Sequence, residues 1–143
     1  MRLAVLLLLF AFLSAPEVCP AEEVGSIKVI ITGFKNDHGQ ARIGLTTARE
    51  YDASEEENFK GAAVKISSGR AEWTFSGVPY GEYGVRVYHD ENMNDKLDRS
   101  FFGMPAEAYG LSNNARGRFK APSFDAVKFK LDSDNITIQI EVK

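Results

Sequence analysis

The chain predicts an all-β fold, a seven-stranded antiparallel sandwich with Greek-key wiring and one long ordered loop. Three features lead there. Apolar residues recur at every second position in seven short runs. Asn, Asp, Ser, Gly and Pro cluster between those runs. No stretch carries sustained helical periodicity.

The runs fall in order. In residues 26–32, Ile27, Val29 and Ile31 share one face, with Ile30 on the other. Asn36-Asp37-His38-Gly39 reads as a turn, so residues 41–47, with Ile43 and Leu45 inward, form a hairpin with the first strand. Residues 48–60 are too polar for a core element and read as an acidic loop or a short surface helix started by Ser54. Residues 63–67 place Val64 and Ile66 inward. Residues 70–75 alternate cleanly, with Ala71, Trp73 and Phe75 on one face and Trp73 as the expected core anchor. Gly77 to Tyr83 forms a tight crossover, with Pro79 fixing φ and Gly81 allowing a positive one. Residues 83–89, 126–131 and 136–142 complete the set.

Length and charge narrow the function. The 143 residues suggest one folded domain over 22–143, preceded by a signal peptide over 1–21. That segment has Arg2, an apolar run from Leu3 to Leu13 too short for a bilayer span, and a small-residue cleavage point after Ala21. The expected location is the periplasm or the exterior. The single cysteine, Cys19, falls within the leader, so the mature domain has no disulfide framework. A net charge of -3 argues against a nucleic-acid partner, which needs a basic face. The expected partner is instead a small ligand or an envelope protein.

Residues 89–114 break the strand pattern. Asp90, Asn92 and Asn94 stand at the first, third and fifth positions of a loop, Lys96 at the seventh and Asp98 at the ninth. Calcium takes six to eight oxygens, and alternate positions let a chain curl around it. Lys96 would contribute its backbone carbonyl. Phe101 occupies the twelfth position, where a helical calcium hand has a bidentate Glu, so the loop fits a nine-position site closed by Asp98. With two formal charges among its side-chain ligands, the expected affinity is on the order of 10⁻⁴–10⁻³ M. The competing reading is an Asx-rich turn bonded to its own backbone.

The following stretch, reaching Pro122, is longer than ordinary connections and therefore functional or self-packed. Phe101, Phe102, Met104 and Tyr109 are expected to pin it as a small satellite core. Tyr109, Ser112, Asn113, Asn114 and Arg116 are the candidate ligand-facing residues. His89 is expected to end its strand and bond the loop. An alternative hydrolase reading pairs His89 with Ser112 or Glu107; a third makes the protein purely structural.

Several of these words occur together and in order: His89-Asp90-Glu91-Asn92, Lys96-Leu97-Asp98, Phe102-Gly103-Met104-Pro105, Tyr109-Gly110, Ser112-Asn113-Asn114-Ala115 and Pro122-Ser123-Phe124. On them the chain resembles a bacterial secreted family called domain of unknown function 2141, from about Ile27 to Val142. The resemblance implies a small exported protein and supplies no reaction. Asp95 departs from it, because the family tends to have glycine there. In organisation the chain is also similar to prealbumin-like, immunoglobulin-like and collagen-adhesin-repeat sandwiches. The Tyr-Arg-Gly-Ser ending of the transthyretin-like hydrolases is absent, since the chain closes on Ile140-Glu141-Val142-Lys143. The sequence thus points to a non-catalytic exported β-sandwich whose calcium loop orders a ligand- or partner-facing flap.

Overall fold

Every second residue of β1 (Val24–Thr32) from Ile27 to Ile31 is buried, which places this strand over the middle of the core. The structure, a computed structural model, describes residues 21–118 and 120–143. The expected signal peptide, apart from Ala21, lies outside the described residues. β1 is the centre of a three-stranded sheet, flanked by β4 (Arg70–Pro79) and β8 (Asn135–Glu141). The second sheet runs β3 (Lys60–Val64), β2 (Gln40–Thr46), β5 (Gly81–Asp90) and β6 (Tyr109–Leu111), with β7 (Phe129–Leu131) paired to the start of β5. Ile27, Val29 and Ile31 face Ile43, Leu45, Val85 and Val87 in one hydrophobic core. Among the described residues no helix is long and apolar enough to cross a membrane.

The all-β sandwich is as expected, and several local readings change. First, β1 and β2 are not a hairpin, because they belong to different sheets. Both strands bury their apolar face, and two such faces are satisfied by opposing each other across the core. Second, β8 pairs with β1 in parallel, Ile27 with Ile136 through Thr32 with Glu141, so the first sheet is mixed. Third, the strand expected over 126–131 is shorter. Residues Phe124–Val127 form a helical turn (α2) that still buries Val127, and only β7 is extended. The eighth strand is β6, three residues long and too short to show a period.

The fourth change is Trp73, which is 43% exposed. Its parity is inward, opposite the buried Val29 and shared with the buried Ala71 and Phe75 of the same edge strand, so edge position alone does not account for its exposure. Fifth, the helix α1 (Ala48–Ala53) begins at Thr47 rather than Ser54. The Thr47 backbone N–H and hydroxyl both bond the Glu50 carboxylate in a capping box, which holds that carboxyl below its ordinary pKa. Ser54 instead ends the helix, its hydroxyl accepting from the backbone N–H of Glu56 and Glu57. Nearby, the positive φ of the crossover falls on Gly77 (61°) and not on Gly81.

Two turns are tied by one side chain. Asp37 accepts from the backbone N–H groups of Ser68 and Gly69, each at 2.7 Å, and these bonds lower its pKa. At the other end, Gly110 lies so close to β8 that a Cβ would sit 2.6 Å from Ile140 Cγ2. That contact brings β6 and the loop after it against the C-terminal strand.

Exposure separates two substitutions that the sequence alone would rank alike. Leu45→Ala should cost about 2–5 kcal/mol in urea unfolding. Trp73→Ala should cost about half as much or less, because nearly half its surface is already in water. A Trp73→Ala loss equal to that of Leu45→Ala would place Trp73 in the core.

Candidate cation loop and outer-face cleft

The loop begins where β5 ends, and its first residue is fully buried. Asp90 has no solvent exposure. Its Oδ1 accepts from the Asn94 backbone N–H at 3.0 Å. Its Oδ2 accepts from the Asp95 N–H at 3.1 Å and from the Gln40 amide at 2.9 Å. A buried carboxylate without such donors would be strongly unfavourable, so these bonds dictate the curl of the loop. Asn92 Oδ1 accepts from Asn94 N–H, and Asn94 Oδ1 from Lys96 N–H, two successive Asx turns.

Asp98 closes the ring. Its Oδ2 accepts from Asn92 Nδ2 at 2.7 Å and its Oδ1 from Asn94 Nδ2 at 2.9 Å. Glu107 then bridges the two ends, accepting from the N–H of Glu91 at 3.1 Å and of Asp98 at 3.0 Å. The calcium set, Asp90, Asn92, Asn94, the Lys96 carbonyl and Asp98, is thus drawn from one small loop, with Glu107 beside it. The atoms suit a hard cation because all the potential ligands are oxygens. Their present bonding is that of the Asx-rich turn: both amide nitrogens, which cannot ligate, face Asp98. Among the described residues no group of three or more His, Cys, Asp or Glu side chains is gathered as for a metal.

Asp95 explains why the glycine position tolerates a side chain. Its φ is +64°, a region that disfavours most residues and that Asp enters at modest cost. Its carboxylate reaches Arg42 at 2.6 Å and Gln40 at 3.1 Å. The loop is thereby fastened to β2.

His89 is fully buried, with Nε2 2.7 Å from the His38 carbonyl and its ring edge-on to Phe34 at 5.2 Å. Ser112 is also fully buried. Its hydroxyl donates to the Val127 carbonyl at 2.5 Å and accepts from Val85 N–H at 2.9 Å. Val85 and His89 are four residues apart on β5, or ~13 Å. The hydrolase pairing of His89 with Ser112 is therefore not formed, and Glu107 is engaged in bracing the loop.

The ligand-facing set also divides. Ser112 is sealed in the core and cannot meet a ligand. Asn113 donates to the Ala126 and Lys128 carbonyls, and Asn114 accepts from Glu141 N–H. Both adopt positive φ, 59° and 48°, as Asn does readily. Arg116 donates to the Glu141 carbonyl and stacks 4.8 Å from the Tyr109 ring. These residues join β6 to β8 and α2. Of the five, Tyr109 lines a cavity of about 900 Å³ and Asn114 a smaller one against β1 and β8.

The larger cavity was not legible in the sequence. It lies on the outer face of the second sheet. Its floor is made of two cross-strand rows. Ala63, Arg42, Tyr88 and Tyr109 form one. Gly61, Gly44, Arg86 and Leu111 form the other, where the Asn58 side chain lies over Gly44 and Gly61 leaves the sheet bare. One wall is Tyr51 and the segment after α1, another the stretch from Asp95 to Pro105, and a third residues around Pro122. Tyr51 donates to the Pro122 carbonyl at 2.9 Å and Arg99 pairs with Glu55, so the walls are linked to one another.

The satellite core expected beyond Asp98 does not form. Phe101 is 98% and Phe102 87% exposed, set edge-to-face at 5.6 Å, and Met104 is exposed too. The segment closes on itself, with Ser100 N–H donating to the Met104 carbonyl and Arg99 bridged to Pro105. Its tip therefore projects beyond the sheet that it would have packed on.

Residues 29–139 match the family described as "Uncharacterized protein conserved in bacteria (DUF2141)". No curated protein and no solved structure gave a match.

Replacing Ser112 by Ala strands the Val85 N–H in the core and should lower stability by about 1–3 kcal/mol. Chemical denaturation measures this; a loss below a few tenths of a kcal/mol would show the hydroxyl to be dispensable.

Proposed function

The chain belongs to this uncharacterised bacterial family, and from that premise we propose that it is an exported, non-catalytic binding module. The outer-face cleft takes a small ligand, and the Asp90–Asp98 loop takes up calcium and sets one wall of that cleft. The cleft carries the reading. Its volume of about 900 Å³ is in the range of small-molecule sites, and its walls are cross-linked rather than loose. The loop supports the second half, because Asp95, Lys96 and Leu97 belong to both the loop and the cleft wall.

Calcium would supply charge neutralisation at Asp98 and Asp90. For that, Asn92 and Asn94 turn their amides over to present oxygen, breaking two bonds to Asp98 that hold the loop without metal. The competition keeps the affinity low, on the order of 10⁻⁴–10⁻³ M. In a ¹⁵N-labelled protein, calcium should shift the amide resonances of 90–98 and then of 99–105. At ten times Kd it should add about 1.4 kcal/mol of stability. Asp98→Ala should abolish both effects. Unchanged spectra and melting up to about 10 mM calcium would remove the calcium half.

Export rests on the leader-like residues 1–21. Protein recovered from the producing bacterium should begin at Glu22 and fractionate with the periplasm or medium. An intact Met1 in the cytoplasm would overturn export.

A further inference from the structure

We infer that the cleft binds a ring-bearing organic anion, a carboxylate or phosphate carried on a sugar or aromatic ring; this rests on the reading of the cleft as a ligand site. Charge is the first argument. Six cationic side chains line the cleft against three carboxylates, in a chain whose net charge is -3. Two of the cations are matched, Arg42 by Asp95 and Arg99 by Glu55. Among the described residues Arg86, Lys96, Arg118 and Lys120 have no carboxylate partner. By contrast Lys28, Lys128, Lys130 and Lys143 each lie within 3.3 Å of one.

Arg86 is the centre of the site. It stands on the cleft floor, held by the carbonyls of Ser54 and Glu57, with its guanidinium 5.4 Å from the Tyr51 ring centroid. Its Nε is buried without a partner. Burial pushes its pKa below the ordinary arginine value, and the carboxylates of Glu55 and Glu50 offset that only in part. An anion over Arg86 supplies the remaining counter-charge, and the low local polarity strengthens the attraction.

The ring follows from the neighbours. Tyr88 and Tyr109 are paired across β5 and β6 in the adjoining row, and Tyr51 stands on the wall. One face of Tyr51 is taken by Arg86 and one of Tyr109 by Arg116; the other tyrosine surfaces, apolar with polar rims, suit the face of a sugar or aromatic ring. Beyond Gly44, over which the Asn58 side chain lies, Gly61 on β3 leaves the floor without a side chain in the row of Arg86, which gives a flat group room there.

The test uses the full mature chain and amide shifts of Arg86, Tyr88 and Tyr109. Glucuronate, glucose 6-phosphate and phenyl phosphate are the anionic probes; glucose, glucosamine and inorganic phosphate are the controls. The three ring anions should shift those amides with saturation, more weakly as salt is raised, and the controls should not. The relative strength of the sugar and phenyl arms identifies the ring. The double variant Arg118→Gln/Lys120→Gln, at two exposed positions, should weaken glucuronate about five-fold. Arg86→Gln should weaken it by at least ten-fold. Glucose binding as well as glucuronate, inorganic phosphate matching the ring anions, or both variants binding unchanged would overturn the inference. If only neutral or cationic rings bind, the cleft remains a ligand site and the anion assignment falls. If no probe shifts these residues, both fall.

Discussion

A carboxylate with no access to water must find its hydrogen-bond donors within the protein, and Asp90 finds three. Its position is set by β5, whose last two residues are drawn under the rim of the sandwich beside Phe34 and the 36–39 turn. Once Asp90 is buried, the backbone at Asn94 and Asp95 has to bend back to it. Asp95 then falls next to Arg42, and Asp98 next to Glu107. The oxygen-rich ring, the start of the exposed hairpin and one wall of the cleft all follow from giving one buried carboxyl group its hydrogen-bond donors.

The outer face of the second sheet depends on this loop in a less direct way. Isolated surface ion pairs contribute little to stability, commonly ~0–1 kcal/mol. Arg42–Asp95 and Arg99–Glu55 therefore matter here for where they place the chain. Each fixes a loop that has little apolar anchorage of its own, and together they keep the sheet face open between walls. Arg86 is different in kind. Its contacts are to backbone carbonyls, so its charge is oriented without being cancelled.

Period-two alternation made the strands of the core legible, since Ile27, Val29, Ile31, Ile43, Leu45, Val85 and Val87 obey it without exception. Alternation tells which face a residue occupies and says nothing of how much of its side chain is covered there. Trp73 shows the difference, with inward parity and nearly half its surface in water. It is equally silent on which strands pair, which is why the turn at 36–39 read as a hairpin. The loop was legible because its chemistry is local: Asx turns and a capping carboxylate act within nine residues. The cleft was not, because Arg42, Arg86, Tyr88 and Tyr109 converge only through strand register. Ser112, Asn113, Asn114 and Arg116 looked available for the converse reason. Sequence shows donors, and only the fold shows that backbone carbonyls and amides of β5, α2 and β8 have already engaged them.

The parallel union of β1 and β8 imposes an order in time. β1 is complete when residue 32 leaves the ribosome, but its second edge has no partner until Glu141 has been made. At ~5–20 residues per second that interval is roughly 5–20 s. Throughout it, a strand rich in isoleucine and valine carries an open edge, the kind of surface on which chains aggregate. The sandwich therefore closes only after residue 141 has been made. Under the proposed export route, that delay would keep the chain unfolded until it reaches a translocation channel.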